Sequence, residues 1–143
     1  MRHFLYLLSL LSVLLLAAGS PEAAARAAEL IPAMELTLTG PDGQPLAAER
    51  VRAAILAGAT STGYPWVPQN ETPGRIVLRT LVRSKHVVVV AAEYSAGRVR
   101  FDYVSSVEMN HKIKRDGTAV IHPNYMAWRA QLERAVRTAA ARG

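Results

Sequence analysis

Eight consecutive residues near the C-terminus, Ile121-His122-Pro123-Asn124-Tyr125-Met126-Ala127-Trp128, form the densest cluster of chemically competent side chains in this 143-residue chain. An imidazole at a helix start, held neutral by the positive end of the dipole, could serve as a base or a ligand. The same residues also read as the opening of a helix. Pro123 suits a first turn, where its missing N–H costs nothing. His122 or Asn124 can offer an acceptor to free backbone amides. Tyr125 and Trp128, three apart, share a face and begin an apolar stripe. That reading accounts for every residue and is the one expected. The alternative is a small enzyme using His122 with loop 105–116.

Other chemistry finds little support in residue spacing. Cysteine is absent, so disulfides, thiolate metal sites and thiol nucleophiles are excluded. Beyond the N-terminal His3, the histidines are His86, His111 and His122. Zinc needs three or four converging ligands, and no His-x-His or His-x-x-x-His spacing occurs. A relay of Ser105 or Ser106 with His122 and Asp102 lacks the strained elbow of serine hydrolases. Glu71, Glu93, Asp102 and Glu108 show no spacing that would set two acids across a cleft. No glycine-rich phosphate loop is present. The expectation is therefore a protein without cofactor, metal or catalytic residue.

The elements that must position these groups follow from periodicity. Met1-Arg2-His3, an uncharged run from Phe4 to Ala18 and small residues after it have the pattern of a secretory signal. The run is short for a membrane span, which needs roughly 20 apolar residues, so no stable anchor is expected. Cleavage fits after Ala18 or after Ala27, and the second is preferred. The domain division expected is a signal peptide over 1–27, a flexible lead-in over 28–44 and one α+β domain over 45–141. Loss of 1–27 removes Arg2, Arg26 and Glu22. The count of basic residues falls from 17 to 15 and of acidic residues from 11 to 10. The exported chain is thus basic, and its place is periplasmic or secreted.

Within the domain, Val51, Ala54, Ile55 and Gly58 recur at helical spacing in Pro45–Thr60. Four strands follow: Tyr64–Glu71, Arg75–Arg83, His86–Tyr94 and Arg98–Ser105. Short turns between them imply an antiparallel meander. Two prolines place the first at a sheet edge, and the third is apolar on both faces. A polar connection, Ser106–Ala119, leads to a helix over Pro123–Ala141, with Arg129 on its solvated side. The fold expected is α+β: helix, four-stranded antiparallel meander, helix, with both helices on one face of the sheet.

Alternation then defines the other face. Arg75, Val77, Arg79, Leu81, Arg83, Val87, Val89, Arg98 and Arg100 point away from the helices, because several arginines cannot stay unpaired in a core. The pattern is an apolar centre rimmed by arginine, which marks partner sites more often than accident. A protein partner or a homodimer is the first expectation, and an anionic envelope lipid or glycan the second. Nucleic acid is not expected, since export removes the protein from the genome and the face lacks stacking aromatics.

The run from Gly63-Tyr64-Pro65-Trp66 through Glu71-Thr72-Pro73-Gly74-Arg75-Ile76 to the closing Ile121-His122-x-x-Tyr125-x-x-Trp128 resembles a group of small bacterial exported proteins, many of them lipoproteins. Arg83, His86 and Tyr94 fit the same pattern, which covers about Val51 to Val136. The resemblance implies an exported protein and brings no reaction or ligand. The chain departs from the pattern in lacking a lipid-bearing cysteine, in the Tyr64-Pro65 spacer before Trp66, and in His111 where a tyrosine is expected.

Overall fold

The valine-rich run becomes the middle of a sheet, as its two apolar faces require. The computed structural model describes residues 27–143, so the expected signal lies outside the described residues except for Ala27. In chain order the elements are β1 (Ala28–Glu29), β2 (Leu36–Thr37), α1 (Ala48–Thr60), β3 (Trp66–Thr72), β4 (Arg75–Val82), β5 (His86–Ser95), β6 (Arg98–Val107), β7 (Lys112–Ile113), β8 (Ala119–Ile121) and α2 (Asn124–Arg142). The protein is α+β, with two helices and antiparallel sheets of five and three strands.

The larger sheet has the order β2-β6-β5-β4-β3, which puts β5 between β4 and β6. Alternate residues on each strand are buried: Ile76 and Leu78 on β4, Val88 and Val90 on β5, Val99 and Phe101 on β6. They share one core with Val51 and Ile55 of α1 and with Tyr125, Leu132 and Val136 of α2. Two bulges interrupt the register, one at Gln69 between Pro68 and Asn70. In the other, Val90 faces Tyr103 and Val89 faces Ser105, so Val104 has no partner.

The sheet exceeds the expected four strands because the segment 28–44, expected as a flexible lead-in, is built into the fold. Leu36 faces Val99 on β6, and both Leu36 and Leu38 are buried. The Leu38 amide donates to the Gly97 carbonyl (2.8 Å), the Leu46 amide to the Leu38 carbonyl (3.1 Å) and the Gly97 amide to the Leu46 carbonyl (2.7 Å). Further upstream, β1 pairs with β8. The connection 106–119 is likewise more ordered than its polarity implied. Ser106 and Val107 prolong β6, and β7 pairs with β8. Strands of two or three residues are too short to show a period, and β1 finds its partner about ninety residues away.

The two helices touch closely where Gly58 of α1 lies against Val136 of α2. On α2 the buried stripe is Tyr125, Arg129, Leu132, Val136 and Ala140. This corrects the placement of Arg129 on the solvated side. Its guanidinium donates to the Ile31 carbonyl (2.8 Å), pairs with Glu133 (3.4 Å) and lies 5.5 Å from the centre of the Tyr125 ring. The cation is buried because it ties the chain between β1 and β2 to the helix.

The Tyr125 hydroxyl is fully buried and meets no hydrogen-bond partner of good geometry among the described residues, although the Arg129 guanidinium lies close by. Burial raises its pKa above the ordinary tyrosine value, and the nearby Arg129 offsets only part of that. The hydroxyl thus stays protonated in the folded protein at pH values where the unfolded chain ionises. Its contribution to stability is complete below the ordinary value of about 10 and is lost as pH rises through the raised folded value. Tyr125→Phe is expected to melt at the same temperature or higher near neutrality, since removing an unpaired polar group is neutral or favourable. The variant is also expected to lose less stability than the parent between about pH 9 and pH 11, which bracket that value. A neutral-pH loss above about 1 kcal/mol would show that the hydroxyl has a partner.

Candidate interaction face

Residues directly opposed in an antiparallel sheet point to the same side, so the register builds the outer face row by row. One row is Arg75, Glu93 and Arg100, and the next is Val77, Ala91 and Asp102. The third is Val67, Arg79, Val89 and Ser105. The fourth is Leu81, Val87 and Val107. Eight of the nine residues expected on this face are there. Arg83 is not, because it sits in the β4–β5 turn with a φ of 53°.

The charges and the valines are separated along the strands. Arg75 pairs with Glu93, Arg100 with Asp102 (2.8 Å) and Arg98 with Glu35 (3.7 Å). Three of the arginines expected to ring an apolar centre therefore belong to a neutralised ladder at one end. The other end is apolar. Val67 is 55% exposed, Leu81 45%, Val104 43% and Val107 55%. Arg79 stands within it and forms no ion pair among the described residues.

Val67, Val104 and Val107 belong to this apolar end and are missing from the expected set. Val67 lies in a segment masked by two prolines. Val107 follows a pair of serines that reads as loop. Val104 points outward by simple alternation after Arg98, Arg100 and Asp102; the bulge instead turns Ser105 to the same face, opposite Val89.

The histidines occupy a different region. His86, at the start of β5, donates from Nδ1 to the Glu108 carbonyl (2.7 Å). A carbonyl only accepts, so the neutral His86 ring keeps its lone pair on Nε2. His122 is the reverse case: its Nδ1 accepts the Asn124 amide (3.1 Å) at the start of α2, so the neutral ring carries its proton on Nε2. The two rings lie 6.1 Å apart, and Trp128 is 6.1 Å from His86. Trp128 also meets Tyr64 edge-on at 6.3 Å, outside the buried stripe expected to hold it. His111 lies instead on Tyr103, 4.5 Å between centroids.

No family model matches this chain, and no curated protein or solved structure matches it.

Of the groups considered for a serine relay, Ser105 lies on the outer face opposite Val89, and the other three are engaged elsewhere. Ser106 Oγ bonds the Tyr103 hydroxyl (2.9 Å), Asp102 holds Arg100 on the outer face, and His122 caps α2. Among the described residues, no three histidine, aspartate or glutamate side chains gather where a metal could sit. Near the sheet edge, Arg52 of α1 holds Glu71 of β3 and lowers the pKa of that carboxylate below its usual range. The pair is exposed and contributes little to stability.

Proposed function

We propose that the protein is an exported, non-enzymatic binding module that takes a protein partner on the apolar end of its outer sheet face. The reading treats β3 to β6 as a meander with both helices on one side and the other side open. Burial supports it: Ile76 and Leu78 on β4 and Val88 and Val90 on β5 are fully covered, whereas Leu81 and Val67 on the opposite side keep about half their surface. The observation that carries the reading is the clustering of Val67, Leu81, Val104 and Val107. They are four of the seven large apolar side chains exposed among the described residues, and they lie on β3, β4 and β6, bridged by the half-buried Val87 and Val89 of β5. Contiguous exposed apolar surface with a polar border marks interaction sites. Export is supported by the leader pattern and by the resemblance of the closing motif to exported bacterial proteins.

The test is site-specific photo-crosslinking in the exported fraction. A crosslinker at Val107 is expected to capture a discrete protein, and Arg79→Glu with Leu81→Asp to abolish capture at an unchanged melting temperature. His122→Ala removes the acceptor of the Asn124 amide at the start of α2, so it is expected to lower stability by at most about 1 kcal/mol and leave capture intact. Capture at Val107 no stronger than at exposed Thr138 would reject the reading.

A further inference from the structure

Two hairpins meet at one end of the molecule, and their side chains differ from the rest of the surface. The β4–β5 turn carries Arg83 and Lys85. The loop after β6 is tied to it by the bond from His86 to the Glu108 carbonyl, and His122 donates its amide to the Met109 carbonyl (2.7 Å). From there the β7–β8 hairpin projects, carrying Lys112, Lys114 and Arg115. Lys114 is five residues beyond Met109, a reach of at most about 18 Å. All five cations are exposed, and none forms an ion pair among the described residues. Only Glu108 and Asp116 oppose them in these loops.

Two observations separate this end from an ordinary solvated surface. The three lysines of residues 27–143 all lie here, whereas every cation elsewhere in that range is arginine. Ile113, between Lys112 and Lys114, is 69% exposed, second only to Met34 at 78% among the large apolar side chains of the described residues. In addition, the four non-glycine residues with positive φ among the described residues are Arg83, Ser84, Glu108 and Asn110, all in these two loops. Such backbone is costly and clusters at functional sites.

We propose that this end seats the protein peripherally on an anionic lipid surface, beyond the sheet-face reading and independent of it. The cations meet lipid phosphates and Ile113 enters the layer between headgroups and acyl chains. The make-up of the tip identifies the occupant: five exposed cations with no ion-pair partner among the described residues meet an array of phosphates, and the exposed Ile113 between two of them suits a surface that is apolar just beneath its charge. Peripheral seating combines an inserted apolar group with electrostatic attraction to anionic lipid, and the tip offers both, in Ile113 and in the cations around it. No helix among the described residues is long and apolar enough to cross.

The experiment is partitioning of the whole chain between vesicles of phosphatidylglycerol with phosphatidylcholine and vesicles of phosphatidylcholine alone. A retained apolar run at Phe4–Ala18 adds to both alike, and the cations flanking it, Arg2 and Arg26, add equally to every variant, so the change in anionic preference between variants is the readout. Each cation at an anionic surface contributes roughly fivefold. The triple variant Lys112→Glu, Lys114→Glu, Arg115→Glu is expected to lose about 100-fold or more of that preference. Arg83→Glu with Lys85→Glu, on the other hairpin, is expected to lose at least about 20-fold, while Arg79→Glu on the sheet face keeps the preference. Raising salt from about 0.1 M to about 1 M shortens the screening length from about 10 Å to about 3 Å and is expected to remove it. Equal partition into both vesicle types, or an unchanged preference in folded triple and double variants, overturns the proposal. Retention on immobilised polyglutamate without a preference for anionic vesicles overturns it in favour of an acidic protein.

Discussion

Gly58→Ala is expected to destabilise the protein by about 2–3 kcal/mol, although alanine is the better helix former. In an isolated helix the change would gain about 1 kcal/mol. Here the added methyl would sit 2.6 Å from the Val136 backbone nitrogen, 2.7 Å from its Cα and 2.7 Å from Cγ2. Two of those three atoms are main chain of α2, so no rotamer change relieves the contact. The helices must separate, which disturbs the packing of Ile55 and Leu132, both fully buried in the shared core. Overpacking of this kind costs roughly 1–3 kcal/mol or more beyond the propensity gain. For a domain of this size the melting temperature should fall by about 10 °C. Adding Val136→Ala is expected to restore little, because only the Cγ2 contact disappears. Ala57→Gly, at the exposed neighbouring position, is the control and should cost only about 1 kcal/mol. Thermal melts of the four proteins decide the matter, and a stabilised Gly58→Ala would refute the close crossing of α1 and α2.

Arg129→Ala should be comparably damaging, for electrostatic reasons. The Arg129 side chain keeps 11% of its accessible surface and Glu133 keeps 21%. Removing the cation leaves the Ile31 carbonyl and the Glu133 carboxylate without it. Deleting one partner of a largely buried pair costs about 3–5 kcal/mol, most of it from the uncompensated charge. Replacing both partners with uncharged residues of similar shape is often close to neutral. Arg129→Met with Glu133→Gln should therefore recover most of the loss. The second readout is local: hydrogen exchange at the Leu30 amide, which donates to the Ala119 carbonyl at 2.8 Å, should accelerate in Arg129→Ala and in the double variant alike. Both lack the bond to Ile31 that holds this segment. Full stability in Arg129→Ala would show that the guanidinium is solvated and not structural.

The Arg129 case also shows where sequence reasoning stops. Position 129 falls between Tyr125 and Leu132 in helical phase, so periodicity alone would put it inside. Its charge argued for the surface, and the charge argument is normally the stronger. The deciding fact is a carbonyl 98 residues upstream, which no local pattern encodes. The outer face divides similarly. The alternation of Arg75, Val77, Arg79 and Leu81 is legible along one strand, because side-chain direction depends only on parity. Whether the arginines ring the valines depends on which acids lie opposite them. Glu93 beside Arg75 and Glu35 beside Arg98 are tertiary neighbours.

Sequence alone determined the α+β class, the two helices, and the consecutive strands β3 to β6, because each of these elements is long enough to repeat its period several times. The tertiary structure decided the fifth strand, the second sheet, the burial of Arg129, and the sorting of the outer face into a charged ladder and an apolar end. It also brought the lysines of two hairpins to one end of the molecule. These features rest on contacts between residues far apart in the chain, made by elements of only two or three residues or by single side chains. Their free energy comes from the partner and not from any local repeat.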